Sequence, residues 1–195
     1  MSYEIEAVTA DCYPGSSVLI NKFDIRDQVK LAEVESVLVS ARFVQWLKKP
    51  GMNSFDFPHY KAIHRFLFSD LYSWSGETRT INFTKKGTRF CPVDEIDRRA
   101  SEIFGRLRSK NYLTGLPHDR FVEELTDLYC VTNELHPFRE GNGRTQRAFL
   151  TQLIRNAGYD INFGDIDTDL LMLATIQAAG GVIDLLLSIL QDAVQ

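Results

Sequence analysis

The sequence predicts a mainly α fold in one domain, a helical bundle carrying one small β-hairpin. Three observations lead there. Apolar residues recur at intervals of three and four along most of the 195 residues. Period-two alternation is confined to one stretch, RTINFTKKGTRFCP. The length suits a single domain, and a hydrophobic content of 44% with 11% aromatics is enough to build its core.

Each element has its own signal. To about Asn21 the chain reads as irregular, with a turn at Pro14-Gly15. A helix is expected from about Asp27 to Leu47, where Val34, Val37, Leu38, Ala41 and Val44 form a stripe. Lys48-Lys49 close its last turn and Pro50-Gly51 stop it. A second helix runs from about Pro58 to Tyr72 on Ile63, Phe66, Leu67 and Leu71, and Gly76 ends it. The hairpin follows at about Ile81 to Phe90, with Gly87 in its turn, and Pro92 closes it. Helices then fall at about Val93 to Ser109 and Asp119 to Glu134, separated by Gly115 and Pro117. Another runs from about Gly143 to Ala157, stopped by Gly158. The last helical stretch starts at about Asp167, breaks at Gly180-Gly181 and resumes to the C-terminus.

Composition excludes several classes. A net charge of −4 and a pI near 5.6 argue against a general nucleic-acid binder. Three cysteines, Cys12, Cys91 and Cys130, make neither a disulfide framework nor a zinc pattern, so a reducing cytoplasm is expected. The N-terminal MSYEIEAVTADCYPG lacks the apolar core of a signal peptide. The longest apolar run, LLMLATIQAAGGVI, is too short for a membrane span.

The chemistry gathers in residues 136–147, HPFREGNGRTQR. Gly141-Asn142-Gly143 precede a helix, where backbone N–H groups point outward and glycines let an anion approach closely. Arg144 and Arg147 stand three apart, on one face of the first turn, and guanidinium forks suit phosphate oxygens. Glu140 would repel a phosphate unless a cation lay between them, which makes it a candidate Mg2+ ligand beside a polyphosphate. His136 stands outside this cradle, where it could take a proton from an incoming hydroxyl. Alone, a histidine before a helix is usually a structural residue, GNG a turn and an arginine pair a solvated face. Their joint occurrence in twelve residues reads as phosphoryl-group chemistry on a nucleotide. Outside the loop, His64 reads as a packed histidine, Trp46 and Trp74 as core or interface, and Asn133 as an orienting residue. Gln177-Ala178-Ala179-Gly180 could flank a base pocket or simply let helices pack closely.

HPFREGNGRTQR resembles the Fic family signature, H-P-F-x-[D/E]-G-N-G-R-x-x-R, at every fixed position. IHRFLFSDLYSWSGETR and TKKGTRFCP resemble the segment before the family's flap and the flap itself, and YPGSSVLINKFDI resembles the start of stand-alone members. The resemblance implies a single Fic domain over residues 1–195, transferring AMP from ATP to a Tyr, Thr or Ser hydroxyl of a target protein. It makes His136 the general base and Glu140 the Mg2+ ligand. Gly141, Asn142 and Gly143 become the anion hole, Arg144 and Arg147 the triphosphate contacts, and Phe138 a buried anchor. The flap residues Thr84, Lys85, Lys86, Gly87, Thr88 and Arg89 would dock the target by backbone pairing.

The resemblance also frames the alternatives. Doc-type toxins, which phosphorylate their targets, carry Lys where this chain has Gly143, so the glycine favours AMP transfer. A non-catalytic nucleotide-binding docking module is the other alternative, and His136 argues against it. Many Fic proteins carry an inhibitory [S/T]-x-x-x-E-[G/N] helix. Here the sole Glu followed by Gly or Asn is Glu140 itself. Either the enzyme is constitutively active or a separate small antitoxin supplies that glutamate to Arg147; the second is the favoured expectation, with this chain as the toxin. Nucleic acid and membrane are not expected partners.

Overall fold

The computed structural model describes residues 10–49, 54–82, 84–85 and 88–195, with Lys85 and Arg89 described by their backbone alone. Among them stand seven α-helices. They are α1 (Gln28–Leu47), α2 (Phe57–Phe68), α3 (Ile96–Ser109), α4 (His118–Leu135), α5 (Asn142–Asn156), α6 (Thr168–Ala179) and α7 (Asp184–Ala193). Side chains of Asp27, Asp56 and Asp167 cap α1, α2 and α6 by accepting an N–H three residues on.

The bundle is built around α5. Ten of its fifteen residues are buried, on every face, as expected of a central helix. Phe149 lies in the middle, edge-to-face with Tyr60 of α2 at 5.3 Å and with Phe104 of α3 at 5.6 Å. α1 and α2 pack on one side of α5, and α4 on the other. α4 in turn carries α3, α6 and α7. The two helices that frame residues 136–141, α4 and α5, are thus held on all sides.

Three expectations are corrected. Helix α2 ends at Phe68, not near Tyr72. The N-terminal segment intrudes there: Lys22 donates its N–H to Leu71 O at 2.9 Å and its Nζ to Ser69 O at 2.7 Å. The stripe expected on α1 is also misplaced. Val37 and Val44 are 70% and 54% exposed, while Leu31, Val39 and Trp46 face α2 and α5. Apolar residues encircle this helix, so spacing alone does not choose its inner face.

The hairpin is smaller than residues 81–90. β1 (Thr84–Lys85) pairs antiparallel with β2 (Thr88–Arg89), in the register Thr84↔Arg89 and Lys85↔Thr88. Beyond these pairs, side chains satisfy the backbone in place of a ladder. Asn82 Oδ1 accepts from Val93 N–H at 3.0 Å, and Arg79 donates to the carbonyls of Ile81 and Cys91. The expected turn at Lys86-Gly87, the helix stop at Pro50-Gly51 and residues 1–9 lie outside the described residues.

Candidate active site

His136 is the residue at which α4 stops. It takes the left-handed conformation, φ 41° and ψ 58°, and its N–H donates to Thr132 O at 3.4 Å. A non-glycine residue held there carries about 1–3 kcal/mol of backbone strain. The turn aims the side chain back along α4, where Nδ1 lies 3.2 Å from Asn133 O. A carbonyl can only accept, so Nδ1 carries a proton, and in the neutral ring Nε2 carries the lone pair. Phe90, which follows β2, stacks on the imidazole at 3.7 Å and 16°. The imidazole is therefore held at its edge by α4 and on one face by the flap.

The loop beyond His136 is anchored from below. Phe138 is fully buried and stacks on His64 at 3.9 Å and on Tyr60 at 5.8 Å. His64 is the packed residue expected of it. Its Nδ1 accepts Gly76 N–H at 2.8 Å, so its Nε2 donates to Glu140 O at 3.0 Å. Burial lowers its pKa to about 4, which keeps that tautomer neutral. Trp46 is core and tilts on Phe66 at 5.2 Å, while Trp74 is half-buried against the core and stacks on Tyr72 at 4.4 Å.

Asn142 serves the loop in a way the sequence does not reveal. Its Oδ1 accepts Phe138 N–H at 2.9 Å and its Nδ2 donates to Phe138 O at 2.7 Å. The side chain makes this clip, while the backbone N–H lies at the helix start. Gly141, at φ +79°, packs so closely on Phe68 that an added Cβ would fall 2.2 Å from Cζ. Gly143 is exposed, and a Cβ there would meet only Arg147 Nη1 at 3.4 Å. No side chain caps the start of α5, so its first-turn N–H groups face outward beside these glycines.

Charge is arranged on either side of that helix start. Glu140 Oε1 accepts Gly141 N–H at 2.8 Å and lies 3.3 Å from Arg144 Nη2. Arg144 also pairs with Glu35 of α1, which in turn accepts from Tyr72 OH. Burial opposes the charge on Arg144, but Glu35 and Glu140 outweigh it and raise its pKa. Arg147 is different. Burial lowers its pKa; Tyr129 opposes this in part, and Arg144 adds a smaller lowering. It has no carboxylate partner among the described residues. A half-buried guanidinium without a counter-charge, beside outward N–H groups, has the electrostatics of an anion site.

The remaining positions fall around a second opening. A cavity of about 270 Å³ is lined by Thr88 of the flap, Tyr129 and Asn133 of α4, and Thr175, Ala178 and Ala179 of α6. Thr84 and Thr88 are half-buried in the two strands, and Lys86 and Gly87 lie outside the described residues. Sequence reasoning missed Glu35, Tyr72, Phe90 and Arg79. The first two reach Arg144 across more than 70 positions and leave no local signal. Phe90 was legible only as a strand residue.

Among the described residues no group of three or more acidic, His or Cys side chains could hold a metal. The Glu140 carboxylate is of the kind Mg2+ takes, one or two together with phosphates. Among the described residues no helix is long and apolar enough to cross a membrane.

Comparison with known proteins agrees with the loop. Residues 54–154 match the family described as "Fic/DOC family". The chain is 37% identical to "Probable protein adenylyltransferase y4lH" of Sinorhizobium fredii, over 87% of this chain and 88% of that protein. It is 34% identical to "Probable protein adenylyltransferase Fic" of Salmonella typhimurium, over 93% and 90% of the two chains. The crystal structure of BepC, a VirB-translocated effector of Bartonella tribocorum with bound AMPPNP, superposes with a TM-score of 0.89. Identity there is 29%, over 95% of this chain and 96% of that one. The matched span runs from the start of α2 almost to the end of α5 and includes the whole of residues 136–147. The chain belongs to the Fic/DOC family.

Proposed function

We propose that this protein is a protein adenylyltransferase that moves AMP from ATP to a Tyr, Thr or Ser hydroxyl of a target protein in the cytoplasm. The observation that carries this reading is the pairing of His136 with the start of α5. One presents an Nε2 lone pair, and the other an uncapped helix N-terminus beside Arg147. Two relatives are named probable protein adenylyltransferases, and BepC was solved with an ATP analogue.

In the reaction, Nε2 of His136 takes the proton of the target hydroxyl as its oxygen bonds to the α phosphorus. The bond from that phosphorus to the bridging oxygen breaks, and pyrophosphate leaves with the electron pair. Negative charge grows on the leaving oxygens, where N–H groups of Asn142 and Gly143, together with Arg144 and Arg147, would stabilise it. Glu140 would hold Mg2+, which offsets phosphate charge. Its carboxylate accepts Gly141 N–H, a donor the nucleotide would have to share. The flap residues Thr84 to Arg89 would seat the target segment as an added strand, with the hydroxyl near the stacked His136. The cavity beside Thr88 and Ala178 would admit the base.

A separate antitoxin fits the same geometry. Arg147 has no carboxylate among the described residues, so a glutamate from a small partner could occupy it in place of the γ phosphate. Co-purification of a small helical protein from the native host supports this role. Full activity in that host without any such partner removes it.

Incubation with α-labelled and γ-labelled ATP in host lysate tests the reaction. Label reaching protein from the α position alone upholds AMP transfer. Label from γ alone means phosphorylation, and binding without transfer means a docking module.

A further inference from the structure

Arg79 stands where the chain enters the flap and is only 5% exposed. Its guanidinium serves three carbonyls from three places. Nε donates to His136 O at 2.8 Å, Nη1 to Ile81 O at 2.9 Å and Nη2 to Cys91 O. Its own N–H donates to Pro137 O at 2.8 Å, and Cys91 N–H donates to Glu134 O at 2.9 Å. Residues 81 and 91 are the two feet of the flap. One side chain therefore ties both feet to the residue that carries the base.

We propose that Arg79 is a positioning residue, setting the register between the target-bearing flap and His136. The proposal rests on the reading of His136 as base and of the flap as target dock. Its physical basis is the planar fork of five donors, which can satisfy three carbonyls at once where an ammonium cannot match the geometry. His136 needs that hold. Its left-handed backbone is strained, and its ring is fixed by Asn133 O and by Phe90, which directly precedes the foot at Cys91. Releasing Arg79 frees the His136 carbonyl and both feet together, so hydroxyl and base move relative to each other. A displacement of about 1 Å between such groups can lower a rate by about 100-fold.

Arg79→Lys and Arg79→Gln in the full chain test this. ATP affinity, read by displacement of a fluorescent ATP analogue, is expected to stay within about twofold of wild type, while kcat for target modification falls by about 100-fold. The imidazole 15N signals of His136 are expected to shift from the Nδ1–H form toward a tautomer mixture. Wild-type kcat with unshifted signals in a folded variant overturns the proposal, as does a parallel loss of ATP affinity. If neither variant folds, amide exchange in the wild-type protein decides. Common opening of the Arg79, Cys91 and Phe138 amides upholds the coupling, and faster separate opening of Arg79 and Cys91 overturns it. If the wild type transfers no AMP, the proposed function fails, while the 15N and exchange results still judge Arg79.

Discussion

Gly141→Ala tests how rigidly the loop is seated. The new methyl group meets two obstacles. At φ +79° an alanine is disfavoured by about 1–2 kcal/mol relative to glycine. Its Cβ would also fall 2.2 Å from Phe68 Cζ and 2.4 Å from Cε2. Phe68 cannot swing aside easily, because it is fully buried and stacks on His64 at 4.7 Å. Overpacking of this kind costs about 1–3 kcal/mol. The sum is roughly 2–5 kcal/mol. For a chain of this size that lowers Tm by about 4–20 °C, at about 2–4 °C per kcal/mol. Urea denaturation measures the loss directly, with the m-value checking that two-state behaviour persists. Adding Phe68→Leu to Gly141→Ala separates the two costs, since a shorter side chain relieves the overlap and leaves the backbone term. A loss below about 1 kcal/mol in Gly141→Ala would refute the close seating. Full recovery in the double variant would refute the backbone term.

Other outcomes follow from the same geometry. His136→Ala should bind ATP and lose transfer, as read with α-labelled nucleotide; unchanged transfer would rule out its role as base. Asn142→Ala strands the N–H and carbonyl of Phe138 and should cost roughly 2–6 kcal/mol at about 1–3 kcal/mol per group, measured by denaturation. His64 gives a pH dependence. Its folded pKa of about 4 lies below the usual 6.5, so the unfolded chain binds the proton first as pH falls. Its contribution, about 3 kcal/mol at 1.36 kcal/mol per unit, is complete above pH 6.5 and lost by about pH 4. His64→Gln should flatten the denaturation midpoint across that window, and an unchanged slope would contradict the buried neutral histidine.

Much of the helix order was legible in the sequence because its signals are local. Lys48-Lys49 and Gly158 mark helix ends within a residue or two of α1 and α5. The loop was legible for the same reason, since histidine, carboxylate, glycines and arginines fall within twelve residues. What escaped depends on distant partners. Nothing near Glu35 announces that it meets Arg144, 109 positions away. Val37 and Val44 looked like core because α1 carries apolar residues all round. Asn142 is an anion-hole candidate by position, and nothing near it in sequence announces that its side-chain amide clips Phe138. Arg79 reads as an ordinary charged residue between two threonines, and only the folded chain brings His136, Ile81 and Cys91 around it.

The clip made by Asn142 has a thermodynamic consequence for ligand binding. By holding both polar groups of Phe138, it closes residues 138–142 into a ring before any nucleotide arrives. A loop already closed has little conformational freedom left to lose when phosphates settle on it, so more of the contact energy appears as affinity. On the proposed function, the nucleotide site would be built in advance by the chain, and binding would select its ligand by shape and charge without first having to organise the backbone that receives it.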